Sequence, residues 1–171
     1  MVTLRATQKL LKHLAEETAS GQPPDAGLGD WYANRIVIDR KPILIIVSSL
    51  SLLPILSPAR DVRRLPSRLP DLVAQRLSRL GLTPELIEAE RKATRPVEVG
   101  RTADRSLVGI MVDFARLAPF YLRSDGSDET SLRLAEKKLG ETPCHAGRKF
   151  EETVFPQEKA KQILRAKWLH V

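Results

Sequence analysis

The stretch whose reading decides the fold is residues 31–60, WYANRIVIDRKPILIIVSSLSLLPILSPAR. Apolar and β-branched residues run densely only here, and turn signals interrupt the run at regular intervals. From Trp31 to Ile38 the residues alternate. Tyr32, Asn34, Ile36 and Ile38 fall on one face, with Ala33, Arg35 and Val37 on the other. Asp39-Arg40-Lys41-Pro42 reads as a tight turn, with Asp39 where a type I turn favours it. Ile43 to Val47 is apolar without alternation, the pattern of a strand covered on both faces and lying mid-sheet. After a turn at Ser48–Ser51, Leu52 to Leu56 makes a third strand. Pro54 cannot donate to a ladder, so this strand belongs at an edge or a bend. Together the three form an antiparallel meander.

Working outward, Val2, Leu4 and Ala6 alternate with polar residues, as in a short strand. Thr7 then offers a helix N-cap, and Leu10, Leu11 and Leu14 extend an amphipathic helix toward Ser20-Gly21. Residues 22–30 read as a loop. Beyond the meander, 58–70 is a basic connection punctuated by proline. Leu69, Leu72, Val73, Leu77 and Leu80 mark a helix that Gly81 ends. Thr83-Pro84-Glu85 opens another. Residues 96–99 form a short strand. Asp104 caps a helix carrying Leu107, Ile110, Met111, Phe114 and Leu117, which Pro119 ends or kinks. SDGSDET (124–130) is a loop, and 131–139 reads as helix or strand. Residues 140–147 are irregular, and a last helix begins near Pro156.

The expected architecture is α+β: a small, mainly antiparallel sheet packed with helices, plus a C-terminal helical extension. Residues 1–123 form the core domain, and 124–171 a linker and extension packed on it. With 171 residues, 42% of them hydrophobic but only 5% aromatic, the chain can bury a sizeable core, chiefly aliphatic. The lone thiol, Cys144, excludes an internal disulfide and fits a reducing compartment. No run suits a signal peptide or membrane span, so a cytoplasmic protein is expected, with no membrane partner. The net charge of +7 permits nucleic acid or another polyanion as partner.

The motifs of phosphate loops, metal sites and nucleophile elbows are missing, so no catalytic residue, metal ligand or cofactor is assigned. His13, His145 and His170 are scattered. Cys144 and His145 are adjacent in TPCHAG, but neighbours along a chain point in different directions, and a reactive thiol needs surroundings that lower its pKa. Trp31 and Asn34 could line a ligand pocket, or Trp31 could plug a small core. Arg101, Asp104 and Arg105 stand where a strand gives way to a helix. Free N–H groups there attract anions, although a capping Asp104 would occupy the same donors. Arg60, Arg63, Arg64, Arg68, Arg76 and Arg79 are the densest positive run. On a helix the last three fall near one another, as a basic stripe or as an ordinary solvated face.

Three segments, LRATQKLLKHL, GDWYANRIVIDRKPILIIVSSLSLLPIL and RTADRSLVGIMVDF, together resemble an uncharacterised bacterial family of domains of unknown function. The family resembles the N-terminal module of Ri-plasmid ORF-3-like proteins. The resemblance covers residues 1–123. Val112 stands where members carry asparagine, which puts in doubt here any function of that asparagine. The resemblance implies no reaction; it implies a mobile-element or defence context.

The leading expectation is a non-catalytic binding or regulatory module with nucleic acid as partner. Two others stand beside it. One is a protein-interaction or self-associating domain, using the Pro54 strand or the last helix. The other is an enzyme on a phosphorylated or nucleic-acid substrate, using Arg101, Asp104, Arg105 and Asp113. Asp104 and Asp113 are nine residues apart, roughly 900° on an ideal helix and half a turn out of phase. A second carboxylate would have to come from elsewhere, such as Asp39 or Glu98.

Overall fold

The computed structural model describes residues 1–14, 16–122, 128–145 and 153–169. Its central run forms β2 (Trp31–Ile38), β3 (Lys41–Ser48) and β4 (Pro54–Pro58), each antiparallel to the next. Asp39 and Arg40 both take positive φ, 50° and 65°. The hairpin is therefore a two-residue type I′ connection, not the expected type I. The primed turn follows the right-handed twist of the strands it joins, whereas type I would splay them. β4 starts later than expected because Leu52, with φ of 63°, still belongs to the turn.

β1 (Val2–Ala6) and β5 (Val97–Arg101) extend the sheet in parallel, giving the order β4-β3-β2-β1-β5. The fold is α+β, with a mixed five-stranded sheet whose antiparallel half is the meander. The helices are α1 (Gln8–Leu11), α2 (Leu65–Arg79), α3 (Pro84–Thr94), α4 (Arg105–Tyr121), α5 (Glu129–Gly140) and α6 (Pro156–Trp168).

Two helical layers cover the sheet, which explains the unbroken apolar run. Leu44 and Ile46 pack with Leu69, Val73 and Leu77 of α2, Leu86 of α3 and Leu164 of α6. Ile43, Ile45 and Val47 face the other way, onto Ile110, Met111 and Phe114 of α4 and Leu132 and Leu139 of α5. Both sets are buried, so truncating Ile45 to alanine costs about 2–5 kcal/mol. Among the described residues, no helix is long and apolar enough to cross a membrane.

Several local expectations are corrected. α1 spans only four residues, and Thr7 makes no side-chain cap. Its hydroxyl donates to Asn34 Oδ1 instead, at 2.6 Å. The chain beyond α1 runs along β5: the Thr18 and Ala19 N–H groups donate to Val99 O, and the Val99 N–H to Thr18 Oγ1. α2 begins at Leu65 and holds Pro70 within it. The 131–139 segment is helical, with Asp128 accepting from the Ser131 N–H. Cys144–His145 pairs with Thr153–Val154 as β6 and β7, where irregular chain was expected. Most of the loop expected at 124–130, and His170, lie outside the described residues.

The loop before β2 is tied down by Glu90 of α3, which is wholly buried. Its carboxylate accepts from the Gly27 and Leu28 N–H groups and from Trp168 Nε1 of α6, each at 2.8–2.9 Å. That carboxylate joins both α3 and α6 to the loop that leads into β2.

Candidate anion-binding site

The site begins with the outer edge of β4. Strand geometry sends the backbone groups of alternate residues to the same side, here Pro54, Leu56 and Pro58. The two prolines have no N–H, so Leu56 supplies the outward donor of this strand. Glu136 of α5 accepts it at 2.9 Å, and Arg76 Nε of α2 donates to Pro54 O at 2.9 Å. Two side chains thus stand where a sixth strand would otherwise pair.

Glu136 has 1% of its side chain exposed and is ringed by arginines. Arg79 donates through Nε and Nη2 to Oε1, at 3.0 and 2.8 Å. Arg133 Nη1 donates to Oε2 at 3.0 Å, and Arg76 Nε lies 3.3 Å from Oε1. Arg76 Nη2 continues to Gln157 Oε1 of α6 at 3.0 Å. Gly140 makes this possible: a Cβ there would lie 2.7 Å from Gln157 Cγ and 2.8 Å from Arg76 Nη2. The helical spacing 133, 136, 140 puts all three α5 positions on the side facing α2.

Between α2, α5 and α6 this arrangement leaves a cavity of about 210 Å³, lined by Arg76, Arg79, Arg133, Lys137 and Lys161 around Glu136. Three of these cations, Arg76, Arg79 and Arg133, pair with Glu136, while Lys161 pairs with the exposed Glu158 at 3.4 Å and Arg133 also with the exposed Glu129 at 3.6 Å. Burial pushes the Arg76 guanidinium down to about 10; Glu136 opposes the shift, and Arg79 and Arg133 add to it. Arg76 is still charged near neutral pH, but its neighbours repel it. Arg133 Nε is buried and has no acceptor among the described residues. An unmatched buried donor of this kind carries a desolvation penalty.

The sequence-derived site residues fall in three places. Trp31 is fully buried in the core beneath α2 and α6, so its ring presents no surface to a ligand. The Asn34 carbonyl oxygen is occupied by the Thr7 hydroxyl and the Arg35 N–H. Arg101, Asp104 and Arg105 do gather at the start of α4. There Asp104 caps the Ser106 N–H at 2.8 Å, and Arg101 pairs with Glu17 at 2.9 Å. Arg60, Arg64 and Arg68 gather at the start of α2: Arg68 Nη1 donates to Arg60 O, and Arg64 pairs with Asp61. The two groups adjoin opposite edge strands of the sheet, β5 and β4. Arg76 leaves the expected stripe because it is 2% exposed and turned onto β4.

The enzymatic constellation does not assemble. Asp104 serves as a cap, Glu98 accepts from the Ser20 N–H and hydroxyl, and Asp39 sits in the hairpin turn. Asp113 lies beside Arg116, Cys144 and His145 in a separate cavity of about 370 Å³. Burial, and then the Asp113 charge, push the Cys144 thiol up to about 11, which keeps it protonated and a weak nucleophile. No group of three or more His, Cys, Asp or Glu suited to a metal occurs among the described residues.

A family model matches residues 3–159. The chain belongs to the DUF6933 family, a domain of unknown function. The match runs from β1 through α2 and α5 into the first turn of α6, so it covers Arg76, Arg79, Arg133, Glu136 and Lys137 of the cationic cavity but stops short of Lys161. No curated protein matches the chain. For this DUF6933 member, Arg133, Lys137 and Lys161 are the site residues that the sequence did not single out. Arg79 stood within the dense arginine run, whereas these three carry no local signal.

Proposed function

We propose that this DUF6933 domain is a non-catalytic binding or regulatory module whose partner is nucleic acid. The observation that supports it is the gathering of three guanidinium and two ammonium groups around one buried carboxylate, on a chain of net charge +7. Arg68 and Arg79 extend the positive surface. They are eleven residues apart on α2, close to three full turns, so they share a face about 16 Å long. The resemblance to Ri-plasmid ORF-3-like proteins supports a bacterial mobile-element or defence setting, and the lone thiol supports a cytoplasmic one.

Fluorescence anisotropy with labelled single- and double-stranded oligonucleotides at rising salt tests this reading. Log affinity should fall linearly with log salt, and Arg64→Gln with Arg68→Gln should flatten the slope by about one for each phosphate no longer neutralised. Failure to bind either oligonucleotide at low salt would overturn it.

A protein-interaction reading has one observation in its favour: Phe120, near the end of α4, is 83% exposed. Light scattering would test it, with a concentration-dependent mass that Phe120→Ser reduces. Pairing of a second copy along β4 is disfavoured, because its outward donor already has a partner in Glu136.

A further inference from the structure

We propose that the cavity between α2, α5 and α6 is a receptor for a single phosphate dianion, such as a phosphomonoester at the end of a nucleic-acid strand. The inference rests on the polyanion reading above and names its anchoring site. Closing the β4 edge requires only Glu136 and Arg76, which hold Leu56 N–H and Pro54 O. Arg79, Arg133, Lys137 and Lys161 are in excess of that task. They add positive charge around a carboxylate whose two oxygens already accept Arg79, Arg133 and Leu56, and the further pairs they make, Lys161 with Glu158 and Arg133 with Glu129, are to carboxylates largely in water. Glu136 is therefore not a free negative group facing an incoming anion.

Three features match a compact dianion. The cavity, about 210 Å³, suits one group better than a length of polymer. Its cations come from three different helices and converge, whereas a solvated helix face would spread them apart. Arg133 Nε is a buried donor without an acceptor among the described residues. Planar guanidinium forks suit phosphate oxygens geometrically, and the two lysines add charge without a fixed direction. Bound phosphate would also lessen the repulsion from Arg79 and Arg133 that adds to the effect of burial on Arg76.

Two measurements on the full chain test the proposal. The first compares thermal unfolding in inorganic phosphate and in chloride at matched ionic strength. Phosphate should raise the transition temperature saturably, as a ligand of the native state does. The second compares oligonucleotides with 5′-phosphate and 5′-hydroxyl ends. The phosphorylated strand should bind at least about tenfold more tightly. Lys137→Gln with Lys161→Gln, the first exposed and the second partly exposed and paired only with a largely solvated Glu158, should abolish the two effects while leaving unfolding in chloride nearly unchanged.

A phosphate-specific stabilisation without the end preference would support the receptor and assign it to free phosphate. Equal stabilisation by phosphate and chloride, together with equal affinity for both strand ends, would overturn it. If both strands still bound with a steep salt dependence, the nucleic-acid reading would survive that failure. Conversely, phosphate stabilisation lost in the double variant, with neither strand bound, would keep the receptor and sink the nucleic-acid partner.

Discussion

The two edges of the sheet are closed by opposite means. At β5, a neighbouring stretch of chain does the closing: the Thr18 and Ala19 N–H groups donate to Val99 O, the Thr18 hydroxyl accepts the Val99 N–H, and Gly100 leaves room for Ala19, whose Cβ would be 3.0 Å from a Cβ at that position. The charges there, Glu17 with Arg101, are largely in water. At β4, side chains take the place of a strand, proline removes the donors that they do not satisfy, and the charges are buried. Both devices stop edge-to-edge association. The first depends on a peripheral segment, and the second on a buried carboxylate whose loss would leave its arginine partners without a counter-charge in a low-dielectric interior.

The comparison breaks most sharply at Glu136. Glu136→Ala strands the Leu56 N–H and leaves the guanidinium groups of Arg76, Arg79 and Arg133 without their shared carboxylate. Denaturant unfolding should show a loss of about 3–5 kcal/mol. A loss below about 1 kcal/mol would mean that the cluster does not hold the edge. Gly140→Ala comes next. Its Cβ meets Gln157 and Arg76 at 2.7–2.8 Å, and the overpacking should cost about 1–3 kcal/mol. The β5 edge should respond less. Thr18→Ala removes the acceptor of the Val99 N–H and should cost about 1 kcal/mol, read by the same unfolding curves. Glu17→Gln should cost under about 1 kcal/mol, with an effect that salt erases.

Cys144 gives a smaller, chemical contrast. Burial and then Asp113 raise its thiol to about 11 from an ordinary value of 9.0. Near pH 8 its thiolate fraction should be about a hundredfold below that of the unfolded chain, so native-state reaction with a disulfide reagent should be correspondingly slow. Because the folded pKa is the higher, the associated stability is fully present below the unfolded value and declines as pH rises from about 9 toward 11.

How much was legible follows from how local each signal was. The meander could be read because alternation in 31–38 and its absence in 43–47 report directly on the number of covered faces. The Pro54 edge could be read because a missing N–H is a property of one residue. The chain after Leu11 was misread as helix because its competitor, the open side of Val99, lies some eighty residues away. Proline misled at Pro70, which sits inside a helix whose packing outweighs its local penalty. Arg76 looked like a surface cation because nothing near it in sequence announces Glu136. Arg133, Lys137 and Lys161 lie in segments that gave little beyond composition, and only the packing of α5 and α6 on α2 brings them together.

Native-state amide hydrogen exchange tests the contrast between the edges most directly. It reads Leu56 and Val99 in the same sample, each an outward-facing N–H of an edge strand held by a side chain. Leu56, bonded to a buried carboxylate, should exchange as slowly as the core amides of β3, and Val99, bonded to the Thr18 hydroxyl of a peripheral segment, clearly faster. A Leu56 amide that exchanges as fast as Val99, or faster, would contradict the claim that buried charge closes the β4 edge.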